Sequence, residues 1–180
     1  MNFNNKKILI GFIVAFILGL NVYNIPLKGQ DSQSIATNSM QYEAATKFKT
    51  EQLNSVLNKS LDAPVNFNEY NKVIISFWAT WCPSCRLENK IFNKILKKTG
   101  KELLIIGISV DKSQDALDEY LNKNKLSFPV LKNTPEVAKL FDDIVAVPTH
   151  YIIDVKTETV RKSMGVMDES EINNIIKEKL

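Results

Sequence analysis

Two uninterrupted apolar runs, Val73–Trp78 (VIISFW) and Leu103–Val110 (LLIIGISV), limit the folds open to this chain more than any other feature. Both are short and rich in β-branched residues, and neither alternates as a strand with one wet face does. Each therefore reads as a strand buried on both sides. Between them Pro83–Lys98 places Leu87, Ile91, Phe92, Ile95 and Leu96 on one helical face, and Gly100 punctuates its end. Strand, helix and strand in this order make a β-α-β unit, whose parallel strands need helices packed over the sheet.

The pattern continues downstream. Ser113–Asn124 reads as a helix burying Ala116, Leu117, Tyr120 and Leu121, Phe128–Leu131 as a short extended piece, and Pro135–Phe141 as a short helix with proline in its first turn. Thr149–Asp154 and Val160–Ser163 read as strands joined by a tight turn. The closing helix starts near Asp168, with Glu171 completing a capping box, and buries Ile172, Ile175, Ile176 and Leu180. The order β-α-β-α-(β)-α-β-β-α predicts an α/β fold with a central mixed sheet flanked by helices. With 180 residues, 44% of them hydrophobic and 24% charged, the chain suffices for one domain plus an extra segment and is not expected to be disordered. A net charge of +3 without a basic stripe argues against nucleic acid as a partner.

The extra segment lies at the N-terminus. Ile8–Leu20 carries no polar side chain, Lys6 and Lys7 precede it, and no charge returns until Lys28. The uncharged stretch, residues 8–27, is about the length that crosses a bilayer. It reads either as a cleaved signal peptide or as an uncleaved signal anchor. The residues that follow the apolar run, Asn21, Val22 and Tyr23, make a poor cleavage site, which favours the anchor. Lys6 and Lys7 stay in the cytoplasm under the positive-inside tendency, so the expected location is the cell membrane, with the remainder outside the cytoplasm. Residues 1–27 are thus a cytoplasmic tip and anchor, 28–40 a polar linker, 41–63 an N-terminal helical segment (helix Gln41–Leu61) with some packing role, and 64–180 the folded domain.

The chemistry concentrates at Trp81-Cys82-Pro83-Ser84-Cys85, directly after the first buried strand. These are the chain's two cysteines, too few and too close for a stapled scaffold. Cys82 falls at a helix N-terminus, where free N–H groups and the helix dipole favour a thiolate. Cys82 is expected to be exposed and to attack first. Cys85, one turn in, is expected to be more buried and to resolve the mixed disulfide. Pro83 suits the first helical position, which needs no N–H donor. A zinc site would need a second pair or added histidines, and the chain holds one histidine, His150. A haem attachment would need histidine where Arg86 stands. A static structural disulfide remains as an alternative, and no metal or separate cofactor is expected. Val147-Pro148-Thr149 precedes a strand; its proline is either a functional cis turn or an ordinary strand start, and spacing alone does not choose.

Together, Phe77–Glu88 (FWATWCPSCRLE), the run VPTHYIID and the β/α order resemble the thioredoxin superfamily, and within it the membrane-anchored TlpA/ResA/DsbE-type thiol-disulfide oxidoreductases. The resemblance covers about Pro64 to Leu180. It implies a thioredoxin-like fold in which Cys82 attacks, Cys85 resolves and Pro148 is a cis-proline facing them. Val147 offers backbone groups to an extended substrate, and Trp81 with Pro83 shapes the site. It also implies protein substrates with disulfides, apocytochrome c among them, and a membrane thiol carrier as electron donor. A disulfide-forming oxidase and a Cu(I)-carrying module are the alternatives. Ser76 stands where thioredoxins carry a buried aspartate. In this branch an acidic residue after the second central strand can serve instead; the matching place is Lys112, with Asp111 beside it as a possible aid to proton transfer. The N-terminal β-hairpin common in the branch is not evident before Val73. His150 reads as a strand histidine facing core or solvent, with tuning of Cys82 or copper binding as alternatives. Peroxiredoxin chemistry would place threonine where Ala79 stands; Thr80 is one place out.

Overall fold

The computed structural model describes residues 50–178. The anchor expected over 8–27, the linker over 28–40, the first part of the helical segment (41–49) and Leu180 lie outside the described residues. No helix among the described residues is long and apolar enough to cross a membrane.

The described chain runs α1 (Thr50–Asn58), β1 (Lys72–Trp78), α2 (Pro83–Thr99), β2 (Leu103–Ser109), α3 (Gln114–Lys123), β3 (Val130–Lys132), α4 (Pro135–Ala138), β4 (Thr149–Asp154), β5 (Thr159–Met164) and α5 (Glu169–Lys177). The strands form one mixed sheet in the order β3-β2-β1-β4-β5. β1 lies parallel to β2 and β2 to β3, while β4 is antiparallel to both β1 and β5. All seven residues of β1 and all seven of β2 are buried, as strands covered on both faces require.

Alternation along the strands divides the core in two. Val73, Ile75, Phe77, Ile106, Ile108, Tyr151 and Ile153 face one side, packed with Leu53 and Leu57 of α1 and Val137 of α4. Ile74, Ile105 and Ile152 face the other, under Phe92 and Ile95 of α2 and Ile172 and Ile175 of α5. α1 is thus part of the core and not a mere spacer. It ends at Asn58, short of Leu61, because the Asn58 amide turns to the Val65 backbone, donating to its carbonyl at 2.7 Å and accepting its N–H at 2.8 Å.

Other boundaries also shift for local reasons. β3 starts at Val130 and not at Phe128: Pro129 has no N–H to give, Phe128 turns into the core, and the Pro129 carbonyl accepts the Gly107 N–H at 2.9 Å. Asp168 caps α5, its Oδ1 accepting the Glu171 N–H at 2.8 Å. β1 includes Lys72, whose Nζ reaches Asp154 Oδ2 at 2.7 Å while both side chains are largely buried.

Two stability tests follow. A Cβ at Gly107 would lie 2.8 Å from Trp78 Nε1 and 3.0 Å from Phe128, so Gly107→Ala should destabilise the domain by about 2 kcal/mol in urea titration. The second concerns acid. Burial pushes the Asp154 carboxyl upward, but the Lys72 ammonium and the Thr157 and Lys156 N–H groups outweigh it and hold it below its ordinary value of 3.8. A depressed folded-state pKa means the contribution is complete well above 3.8 and is lost as the pH falls through the lowered value. Asp154→Asn should remove that acid limb and cost about 3 kcal/mol at neutral pH, since it strands a buried ammonium.

Candidate active site

β1 ends at Trp78, and a short turn delivers the chain into α2. Asp111, at the end of β2, holds that turn. Its Oδ2 accepts the Thr80 N–H at 2.9 Å and the Ser109 hydroxyl at 2.7 Å, and its Oδ1 accepts the Thr80 hydroxyl at 2.7 Å. Arg86 braces the other side, donating from Nε to the Thr80 carbonyl with its guanidinium 5.8 Å from the Tyr120 ring centre.

With the turn fixed, Cys82 becomes the N-cap of α2 and Pro83 takes the first helical position. Cys82 Sγ accepts the Cys85 N–H at 3.2 Å and lies 3.2 Å from Ser84 Oγ. The two cysteines are joined as a disulfide across the first turn. Sulfur anchored among helix N-terminal N–H groups is the arrangement that stabilises a leaving or attacking thiolate.

Val147–Pro148 is a cis peptide, and the Val147 carbonyl oxygen lies 3.9 Å from Cys82 Sγ. Pro148 is buried and its carbonyl accepts the Gly165 N–H at 2.9 Å, which ties this loop to the end of β5. Cys82, Cys85, Pro83, Trp81, Val147 and Pro148 therefore converge at the C-terminal end of β1. Cys82 is not exposed in the disulfide form: it is 4% accessible and Cys85 0%, because the Val147 loop and the Trp78–Ala79 segment cover its sulfur. Trp81 is 64% exposed and stands at the rim. Asp111 is buried with both carboxylate oxygens engaged, and what its contacts do is hold the Thr80 turn. Lys112 is exposed. The Thr80 hydroxyl is committed to Asp111, so it does not stand ready for a peroxide.

The structure adds a pair that the sequence reading did not assemble. Glu88 and His150 are both fully buried, with His150 Nε2 3.1 Å from Glu88 Oε1. Glu88 Oε1 also accepts the Met167 N–H at 2.7 Å. The signal for Glu88 was its place in the buried series Cys85, Glu88, Asn89, Phe92, Ile95 of α2: an acid on the apolar stripe of a helix needs a partner in the core.

A family model described as the AhpC/TSA family matches residues 43–163. The chain belongs to the AhpC/TSA family. As a member of that family it is 25% identical over 170 residues to the thioredoxin-like protein YneN of Bacillus subtilis, covering 93% of this chain and 95% of that protein. It is 27% identical over 176 residues to the thiol-disulfide oxidoreductase ResA of Bacillus subtilis, covering 93% and 90%. Among solved structures, a thiol:disulfide interchange protein from Chlorobium tepidum superposes with a TM-score of 0.55 at 23% identity, covering 66% of this chain and 92% of that one. StoA from Bacillus subtilis gives 0.52 at 23% identity, covering 60% and 84%. These likenesses establish the thioredoxin-like α/β fold. With the dithiol geometry above, this AhpC/TSA member is a thiol-disulfide oxidoreductase of the ResA and StoA type.

If Asp111 is the clamp of the turn, Asp111→Ala leaves the Thr80 N–H and two hydroxyls without their acceptor. We expect a loss of about 3 kcal/mol in equilibrium unfolding, with Asp111→Asn intermediate.

Proposed function

We propose that this protein is a membrane-tethered, extracytoplasmic reductase of disulfides in exported proteins, apocytochrome c among the candidates. The observation that carries the chemistry is the Cys82–Cys85 pair at the N-cap of α2, facing the backbone of Val147–Pro148. The Cys82 thiolate attacks a substrate disulfide, forming a mixed disulfide and releasing one substrate thiolate. The Cys85 sulfur then bonds to Cys82, and the second substrate sulfur leaves with the electron pair. Two electrons pass from dithiol to substrate, and a membrane thiol carrier returns them.

The surface supports a polypeptide substrate. Among the described residues the exposed large hydrophobics are Trp81, Leu87, Val145, Met164 and Val166. Trp81 adjoins Cys82, Val145 lies in the cis-proline loop, and Met164 pairs with Thr149 beside Pro148. Apolar side chains around a redox pair favour a substrate cysteine flanked by apolar residues, as in an incompletely folded exported chain. The uncharged stretch over residues 8–27 behind Lys6 and Lys7 supports tethering, with the domain outside the cytoplasm.

The test is the equilibrium potential of the dithiol, measured by thiol labelling of the full chain across glutathione and dithiothreitol buffers. We expect a value at or below about −220 mV, in the range of reductants. A value near −120 mV would assign the oxidase reading instead. The absence of a reversible two-electron transition would favour a Cu(I)-carrying module. Cys82→Ser should abolish exchange with a disulfide substrate; retained exchange would overturn the mechanism.

A further inference from the structure

A cleft of about 570 Å³ opens between α2 and α3, beside the turn that leads to the cysteines. Thr80 of that turn lines it, with Arg86 and Lys90 of α2 on one wall and Glu119, Tyr120 and Lys123 of α3 on the other. Residues four apart share a helical face, so Arg86 and Lys90 stand one turn apart along α2, as Glu119 and Lys123 do along α3. Glu88, the one acid of α2, is buried, so the exposed surface of this helix carries positive charge only.

The cations of the cleft are not equally committed. Lys123 is paired with Glu119 at 2.5 Å. Arg86 and Lys90 have no carboxylate within ion-pair distance among the described residues. Arg86 is nonetheless held in place. Its Nε donates to the Thr80 carbonyl at 2.5 Å, and its guanidinium lies 5.8 Å from the centre of the Tyr120 ring, which Trp78 supports at 5.3 Å. Its two terminal nitrogens therefore form a fixed, planar fork, the geometry that takes a carboxylate. Arg86, Lys90 and Lys123 are all exposed, and an exposed charge pair shifts an equilibrium only a few-fold. Such a cleft does not hold a free anion against water. It acts on an anion delivered by a chain already engaged at the dithiol, for which the second contact is intramolecular. Position sets the reach. Arg86 and Lys90 follow Cys82 by four and eight residues, about 6 and 12 Å of helix rise. An extended polypeptide covers those distances with about two to four residues.

We propose that the α2–α3 cleft is an anion subsite of the exchange reaction, taking the carboxylate of a glutamate or aspartate that lies two to four residues from the reacting cysteine of a polypeptide substrate. The proposal rests on the thiol-disulfide exchange reading, not on its direction, and adds the charge of the substrate to it. Apolar residues next to the substrate cysteine meet the rim at Trp81, and the acid beyond them meets Arg86 and Lys90. The sulfur chemistry itself is unchanged. What the cleft supplies is a choice among substrates, because a chain with the acid in register is held longer at Cys82 than one without it.

The test is stopped-flow reaction of the reduced full chain with peptides whose single cysteine is a mixed disulfide with thiopyridine. Cys82 Sγ bonds to the peptide sulfur, the peptide–thiopyridine S–S bond breaks, and the coloured thiopyridine leaves with the electron pair. The peptides come in twins that differ only in glutamate or glutamine at one position, two to four residues from the cysteine on either side. At the best position we expect the glutamate peptide to react about fivefold faster than its twin at low ionic strength, with the ratio falling toward one as salt is added. Lys90→Gln should cut the ratio to about twofold, and Arg86→Gln should bring it close to one. Each ratio compares two peptides on one protein, so a shift of the Thr80 turn that slows both cancels. Lys94→Gln removes the same charge from the same helix outside the cleft, where Lys94 pairs with Glu169, and should leave the ratio unchanged. A ratio near one at every position in the wild type overturns the proposal and leaves exchange intact. Equal losses in Lys90→Gln and Lys94→Gln overturn it as well, because the preference then belongs to the general field of α2. A reduced chain that releases no thiopyridine from any peptide overturns the exchange reading itself.

Discussion

Enclosure of β1 is the constraint on which the rest of this molecule depends. The strand is paired on both edges, to β2 and β4, and covered on both faces, so neither its backbone nor its side chains have an alternative partner in water. Its C-terminal end is therefore a fixed point. The Val110 N–H closes on the Trp78 carbonyl at 2.9 Å, and Asp111 then grips the next turn through Thr80. Only a rigid strand end can hand a helix its first residue with the sulfur already at the cap. The C-terminal edge of parallel strands is also where open α/β sheets hold their reacting groups, and the dithiol conforms to that rule.

Two buried acids near the dithiol show how the same side-chain chemistry is divided by environment. Asp111 has both oxygens saturated by donors from Thr80 and Ser109. Such a carboxylate serves geometry, because its two oxygens accept the donors on which the turn depends. Glu88 is engaged at Oε1 alone, by Met167 and His150, while Oε2 is open. The saturated acid supplies the frame of the turn, and the half-engaged one joins α2 to His150 of β4 and to the Met167 backbone.

The strands and the helix carrying the cysteines were legible because each is written locally. VIISFW and LLIIGISV admit one environment, Cys82-Pro83 marks a helix start, and Asp168 marks another. What escaped depends on contacts distant in sequence. Lys72 lies just outside the apolar run Val73–Trp78, yet Asp154, 82 positions away, draws it into β1. α1 stops early because Asn58 prefers the Val65 backbone, a competition that hydrophobic period does not register. Cys82 was expected at the surface because it caps a helix; the covering loop comes from Val147, 65 positions further along the chain. His150 read as a strand histidine facing core or solvent, and Glu88 was not singled out; only the packing of α2 on β4 brings the two together.

The covered sulfur bears on how such a site meets a protein. With Cys82 nearly inaccessible in the disulfide form, contact begins on what surrounds it: the Trp81 ring and Val145, 64% and 82% exposed, and the Met164–Val166 edge. These groups offer area without charge, and they sit on three separate segments, two of which are joined by the Pro148–Gly165 hydrogen bond. A substrate segment lying across them would touch the helix start, the cis-proline loop and the end of β5 at once. Displacing the Val147 loop would then uncover the sulfur at the point where substrate is already held. In that arrangement specificity is exercised by the apolar rim before sulfur chemistry starts.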